Sequence, residues 1–113
     1  MRRINNYSIN QESLEDMLES GKFNPSLELT FQDKSERYKL SAGYGDDVEV
    51  YSEGAEIFIF YANEMLGYVG LEIFVGSEKQ GEIFLEEYEL KDVLGRRNLA
   101  PFNVIKHLRN YII

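Results

Sequence analysis

Four groups of residues have the types and spacing to bear on chemistry. His107 is the only histidine. A zinc site built on imidazole uses two or three. No Gly-x-Ser-x-Gly elbow is present to serve a histidine-centred triad. His107 also falls one position before Leu108 in an apolar helical stripe, so a helix-face role is expected. Gly43-Tyr44-Gly45 is a glycine pair, but Asp46 and Asp47 follow it where a phosphate cradle carries Lys and Ser or Thr. It reads as a turn. Asp46, Asp47, Glu49 and Glu53 offer oxygen ligands without the alternation and terminal glutamate of a calcium loop. Glu86, Glu87 and Glu89 offer paired carboxylates. A glycosidase pair, however, needs a cleft, one raised pKa and sugar-stacking aromatics, and the chain has no tryptophan. Nor has it a cysteine, which removes disulfides, thiolate metal sites and thiol nucleophiles. The expectation is a protein that is not an enzyme, with no metal and no cofactor.

What remains is charge. The formal net charge is −8, and its distribution is uneven. Residues 46–92 carry thirteen acids against two bases, Lys79 and Lys91, a net of −11. Residues 93–113 carry four bases and no acid. Nucleic-acid binding is driven by a basic stripe that releases counterions, so neither nucleic acid nor an anionic lipid surface is an expected partner. No apolar run approaches the length of a membrane span. Arg2 and Arg3 precede no apolar signal segment, and a cytoplasmic location is expected.

The elements that position these acids follow from hydrophobic periodicity. With 113 residues the chain is expected to form one domain. Residues 56–62 and 67–75 are apolar on both alternating faces, the pattern of central strands covered on each side. Ile57, Ile59, Phe60, Val69, Leu71 and Ile73 are their expected core. Residues 27–32 and 38–42 alternate cleanly, as do Val48 and Val50, and Ile83 and Leu85 lead a strand that is expected to run through Tyr88. Six strands joined by short polar loops predict an antiparallel meander, a wide twisted sheet free to curl toward a half-barrel. Ser8 with Gln11, or Asn10, predicts the cap of a helix over residues 11–20, stopped at Gly21 and by Asn24-Pro25. Residues 90–95 predict a helical turn ending at Gly95, and Arg96-Arg97-Asn98 a loop. Pro101 opens a terminal helix whose stripe is Phe102, Ile105, Leu108 and Ile112, widened by Val104 and Tyr111. The fold class is α+β, with a helix near each end of the chain packed on the sheet.

An acidic surface selects a basic mate through complementary potential. Tyr44, Tyr51, Tyr68 and Tyr88, taken as exposed, would anchor such a contact. In its size, acidity and lack of cysteine the chain resembles the general type of bacterial immunity proteins and phage-encoded inhibitors. That resemblance implies a basic protein partner, a toxin or nuclease domain. The residues nominated for the contact are Asp46, Asp47, Glu49, Tyr51, Glu53, Glu86, Tyr88 and Glu89. Two other classes compete. One is a homo-oligomeric accessory subunit, paired through strands or the apolar end Tyr111-Ile112-Ile113. The other is a small-molecule binder in a concavity lined by Phe58, Phe60, Tyr68 and Phe74.

Overall fold

The protein's structure, a computed structural model, describes residues 1–21, 27–94 and 101–112. The expected features at Asn24-Pro25, Gly95, Arg96-Arg97-Asn98 and Ile113 lie outside them. In chain order the elements are β1 (Arg2–Ile4), β2 (Tyr7–Gln11), α1 (Leu14–Ser20), β3 (Leu27–Phe31), β4 (Arg37–Leu40), β5 (Asp47–Glu53), β6 (Glu56–Asn63), β7 (Tyr68–Val75), β8 (Glu78–Glu86), α2 (Glu87–Leu94) and α3 (Pro101–Ile112). The fold is α+β and every strand pair is antiparallel.

The run at residues 56–75 supplies the two inner strands. β6 and β7 pair with each other and are flanked by β5 and β8, in the order β1-β5-β6-β7-β8. Two tight turns hold this meander in register. β5 and β6 are joined by Gly54-Ala55, and β7 and β8 by Gly76-Ser77, with φ of 61° at both glycines. Backbone of that hand suits hairpin turns and costs a side-chain-bearing residue. The strands from 27 to 86 do not all join one sheet. β3 and β4 pair with β2 in a separate three-stranded sheet, and the larger sheet stays open, with β1 and β8 at its edges.

Both faces of the five-stranded sheet are covered, which is why both faces of β6 are apolar. On one face Val50, Ile59, Tyr61 and Phe74 meet Leu27, Leu29, Phe31, Tyr38 and Leu40 of the smaller sheet. On the other, Tyr51, Phe58, Leu71, Ile73 and Leu85 meet Leu90 of α2 and Val104, Ile105 and Leu108 of α3. Of the expected core, Ile59, Leu71 and Ile73 are fully buried, whereas Ile57, Phe60 and Val69 are half-buried at its margins. Gly70 is a packing requirement, because a Cβ there would fall 2.0 Å from the Tyr61 ring.

The N-terminal helix begins later than its polar residues suggest. Ser8 and Asn10 lie in β2, paired with Thr30 and Glu28. The cap is Ser13, whose hydroxyl accepts from the Asp16 N–H at 3.2 Å. Gly21 closes the helix in the left-handed conformation, as expected. Of its apolar stripe, Met17 is half-buried, while Leu14 and Leu18 are exposed. At the other end of the chain, the strand containing Ile83 and Leu85 stops at Glu86. Glu87 to Leu94 is helical, so Tyr88 and Glu89 sit on a helix rather than on strand faces. Among the described residues, no helix is long and apolar enough to cross a membrane.

Candidate functional site

Strand register gathers one end of the five-stranded sheet. Asp47 pairs with Ala62, Ala62 with Val69, and Tyr68 with Glu86. Three strand spacings separate β5 from β8, roughly 14 Å. The loop at residues 43–46, the turn at 63–67 and the start of α2 therefore lie side by side. The Glu87 N–H donates to the Gly67 carbonyl at 2.7 Å, tying α2 to the turn. This end brings together Asp46, Asp47, Glu64, Glu86, Glu87 and Glu89. Among these carboxylates stand four apolar or aromatic side chains with large exposure: Tyr44 at 77%, Met65 at 97%, Leu66 at 72% and Tyr88 at 63%.

Five of the nominated residues meet there, with different duties. Asp46 is committed to the fold. Its Oδ1 accepts from the Tyr68 hydroxyl and from Asn63 Nδ2, and its Oδ2 from the Gly43 N–H at 2.8 Å. These bonds fasten the 43–46 loop to the neighbouring hairpin. Burial, and then the bond to Asp46, raise the Tyr68 pKa. Asp47 and Glu86 are exposed, and Glu89 is half-buried. Glu89 Oε1 lies 3.4 Å from the Glu86 N–H, the reach of a capping box closing the start of α2. The carboxylates of Glu86 and Glu89 raise the Tyr88 pKa.

The other three are placed elsewhere. Tyr51 is buried and T-stacked on Phe102 at 5.0 Å, so it is a core residue and not an exposed anchor. Its hydroxyl donates to Glu49 Oε2 at 2.6 Å, and its pKa is pushed up to about 12, chiefly by burial and then by that bond. Glu49, also 3.9 Å from Arg3, is thereby engaged within the protein. Glu53 lies at the far end of β5, about 20 Å from Asp47 at strand rise, with its carboxylate 3.6 Å from the N-terminal ammonium. Of the expected aromatic anchors, Tyr44 and Tyr88 are exposed and Tyr68 is half-buried. The concavity expected between Phe58 and Phe74 is not formed, because they lie on opposite faces of the sheet, each inside its own core.

Sequence reasoning passed over a second polar cluster. Glu72 is fully buried in β7. Its Oε1 accepts from the Ser41 N–H at 2.7 Å and from Lys79 Nζ at 2.9 Å, while Oε2 has no hydrogen-bond partner among the described residues. Glu82 Oε2 accepts from the Ser41 hydroxyl at 2.8 Å and from Lys79 at 3.1 Å. Ser41 follows β4, so the cluster clasps the small sheet to the large one. The signal available was a lone acid between Leu71 and Ile73, with a lysine just past the next turn. Among the described residues, no group of three His, Asp or Glu side chains converges as metal ligands would.

The clasp carries a pH dependence. The bond from the Ser41 hydroxyl, then that from Lys79, lower the Glu82 pKa against the effect of burial. Burial pulls the Lys79 pKa down, but its bonds to Glu72 and Glu82 leave it raised. A carboxyl lowered in the folded state stabilises above its unfolded pKa, about 4.3, and that contribution is lost as pH falls through the folded value. A raised ammonium stabilises fully below about pH 10.4 and is lost as pH rises through its folded value. The clasp's contribution to the urea midpoint should therefore be level between these limits and fall on both sides. In Glu82→Gln the acid-side fall should shrink; an unchanged acid limb would remove Glu82 from the clasp.

Comparison with family models, with curated proteins and with solved structures finds no match to this chain.

Proposed function

We propose that this is a non-enzymatic binding protein that neutralises a basic protein partner, as an immunity protein or inhibitor does for a toxin or nuclease domain. The observation that carries the reading is the acidic end of the five-stranded sheet. There Tyr44, Met65, Leu66 and Tyr88 stand exposed among carboxylates at the tips of adjoining loops. Association energy concentrates in a few apolar or aromatic anchors, and surrounding charges set the encounter rate and exclude wrong mates. Solubility alone accounts for scattered acids. It does not account for four large apolar side chains held in water beside them.

The test is capture from the native host followed by association kinetics at several salt concentrations. Asp47→Lys with Glu86→Lys should slow association and flatten its salt dependence, since exposed charges act through screened steering. Tyr88→Ala should instead shorten the lifetime of the complex, at a cost of about 2 kcal/mol. Glu53→Lys, at the far end of β5, should change association less than the Asp47 and Glu86 pair. Recovery of no basic partner, or association indifferent to salt and to these lysines, defeats the proposal. A dimer seen by light scattering at every concentration would favour the oligomeric-subunit reading in its place.

A further inference from the structure

Beside the exposed anchors lies a cleft of about 400 Å³ between the β6–β7 hairpin and α2. Ala62, Val69 and Leu90 give it apolar walls, and Glu64 and Glu87 bring a carboxylate from each side. The volume is within the usual range of ligand pockets, roughly 300–1,000 Å³. Neither carboxylate is strongly engaged. Among the described residues, no hydrogen bond or ion pair holds Glu64. Among the same residues, the Glu87 carboxylate has only the exposed Lys91, whose Nζ lies 3.9 Å away, one turn along the same helix. An exposed pair of that kind contributes little.

An apolar recess rimmed by two carboxylates has a definite chemical complement. An anion would be repelled. A wholly apolar group would strip water from Glu64 and Glu87 without replacing its hydrogen bonds. A long side chain with an aliphatic stem and a cationic head satisfies both parts, its stem against the walls and its head on the rim. Guanidinium suits the rim better than ammonium, because its planar fork offers five donors to two carboxylates and sheds water more readily. We propose that this cleft receives an arginine side chain of the basic partner. The assignment of the arginine to a protein partner rests on the function proposed above; the affinity of the cleft for the side chain does not. Lys91, poised beside Glu87 in the free protein, is the internal cation that the arginine displaces.

The test is a two-dimensional amide NMR titration of the full chain with Nα-acetyl-arginine methylamide, alongside the norleucine analogue. Saturable shifts are expected at the amides of Gly67, Val69 and Leu90 with the arginine probe, and much weaker ones with norleucine. Glu64→Gln with Glu87→Gln, both on exposed side chains, should weaken arginine binding about tenfold. Lys91→Met should strengthen it by removing the competing cation. Equal response to norleucine, weakening by Lys91→Met, or non-saturating shifts spread over all acidic residues would each overturn the assignment. The two proposals fail separately. Capture of a basic partner with no arginine response at the cleft removes this inference alone. A localised arginine response without any basic protein partner removes the proposed function and leaves the cleft as an arginine site.

Discussion

Phe58→Ala is expected to lower the unfolding free energy by about 3–5 kcal/mol. Phe58 has no exposed surface. It lies on an inner strand, level with Tyr51 on one side and Ile73 on the other. The core above it is completed by Val104, Ile105 and Leu108 of α3. Removing the ring forfeits its transfer from water and leaves a cavity that two paired strands cannot close. A domain of ordinary stability has about 5–15 kcal/mol in total, so the change is a large share of it. Phe60 points to the same face two residues later but is only half-buried, and Phe60→Ala should cost distinctly less. Equilibrium unfolding in urea measures both, as a lowered midpoint at unchanged slope. A midpoint shift for Phe58→Ala no larger than that for Phe60→Ala would place the centre of this core elsewhere.

That contrast also marks how far the sequence reaches. Periodicity of two separates the faces of residues 56–62, and so predicts that Phe58 and Ile59 face opposite layers. It does not reveal where a strand leaves the cover of a helix, so Ile57, Phe60 and Val69 look as deep as Ile59 and Leu71. The same limit splits the sheet. Leu27, Leu29 and Phe31 alternate unmistakably, but their partner is Tyr7–Gln11, a segment rich in Ser, Asn and Gln whose local chemistry imitates a helix cap. A pairing set by distant residues leaves no local trace.

The charged residues show the limit more sharply. The density of acid over residues 46–92 is plain in the sequence, and five of the eight nominated positions do meet at one end of the sheet. Whether a given carboxylate faces a partner or its own chain depends on hydrogen-bond donors far away in sequence. Asp46 is occupied by Asn63 and Tyr68, and Glu49 by Tyr51 and Arg3. Tyr88 and Glu89 are legible as candidates, but their place on a helix depends on the strand ending at Glu86. Acids in the first turn favour a helix there, yet Glu and Tyr at 86–89 continue the strand's alternation equally well.

Lys79→Met is expected to destabilise the protein by about 3 kcal/mol, out of proportion to a lysine whose side chain is one-third exposed. The cause is Glu72. Its carboxylate has no access to water; among the described residues, without Lys79 only the Ser41 N–H remains on Oε1, and Oε2 already lacks a partner. The loss is thus chiefly the cost of leaving a buried charge uncompensated, not the strength of the ion pair itself. This makes the effect reversible by a second change. Glu72→Gln in the Lys79→Met background removes the charge while keeping an oxygen for the Ser41 N–H, and should regain much of the loss. Glu82→Gln in the same background should regain little, because the Glu82 side chain is about half exposed to solvent. Urea unfolding of the single and paired variants at neutral pH decides the matter. If Lys79→Met is neutral, or if Glu82→Gln rescues it as well as Glu72→Gln does, the buried carboxylate is not what Lys79 serves.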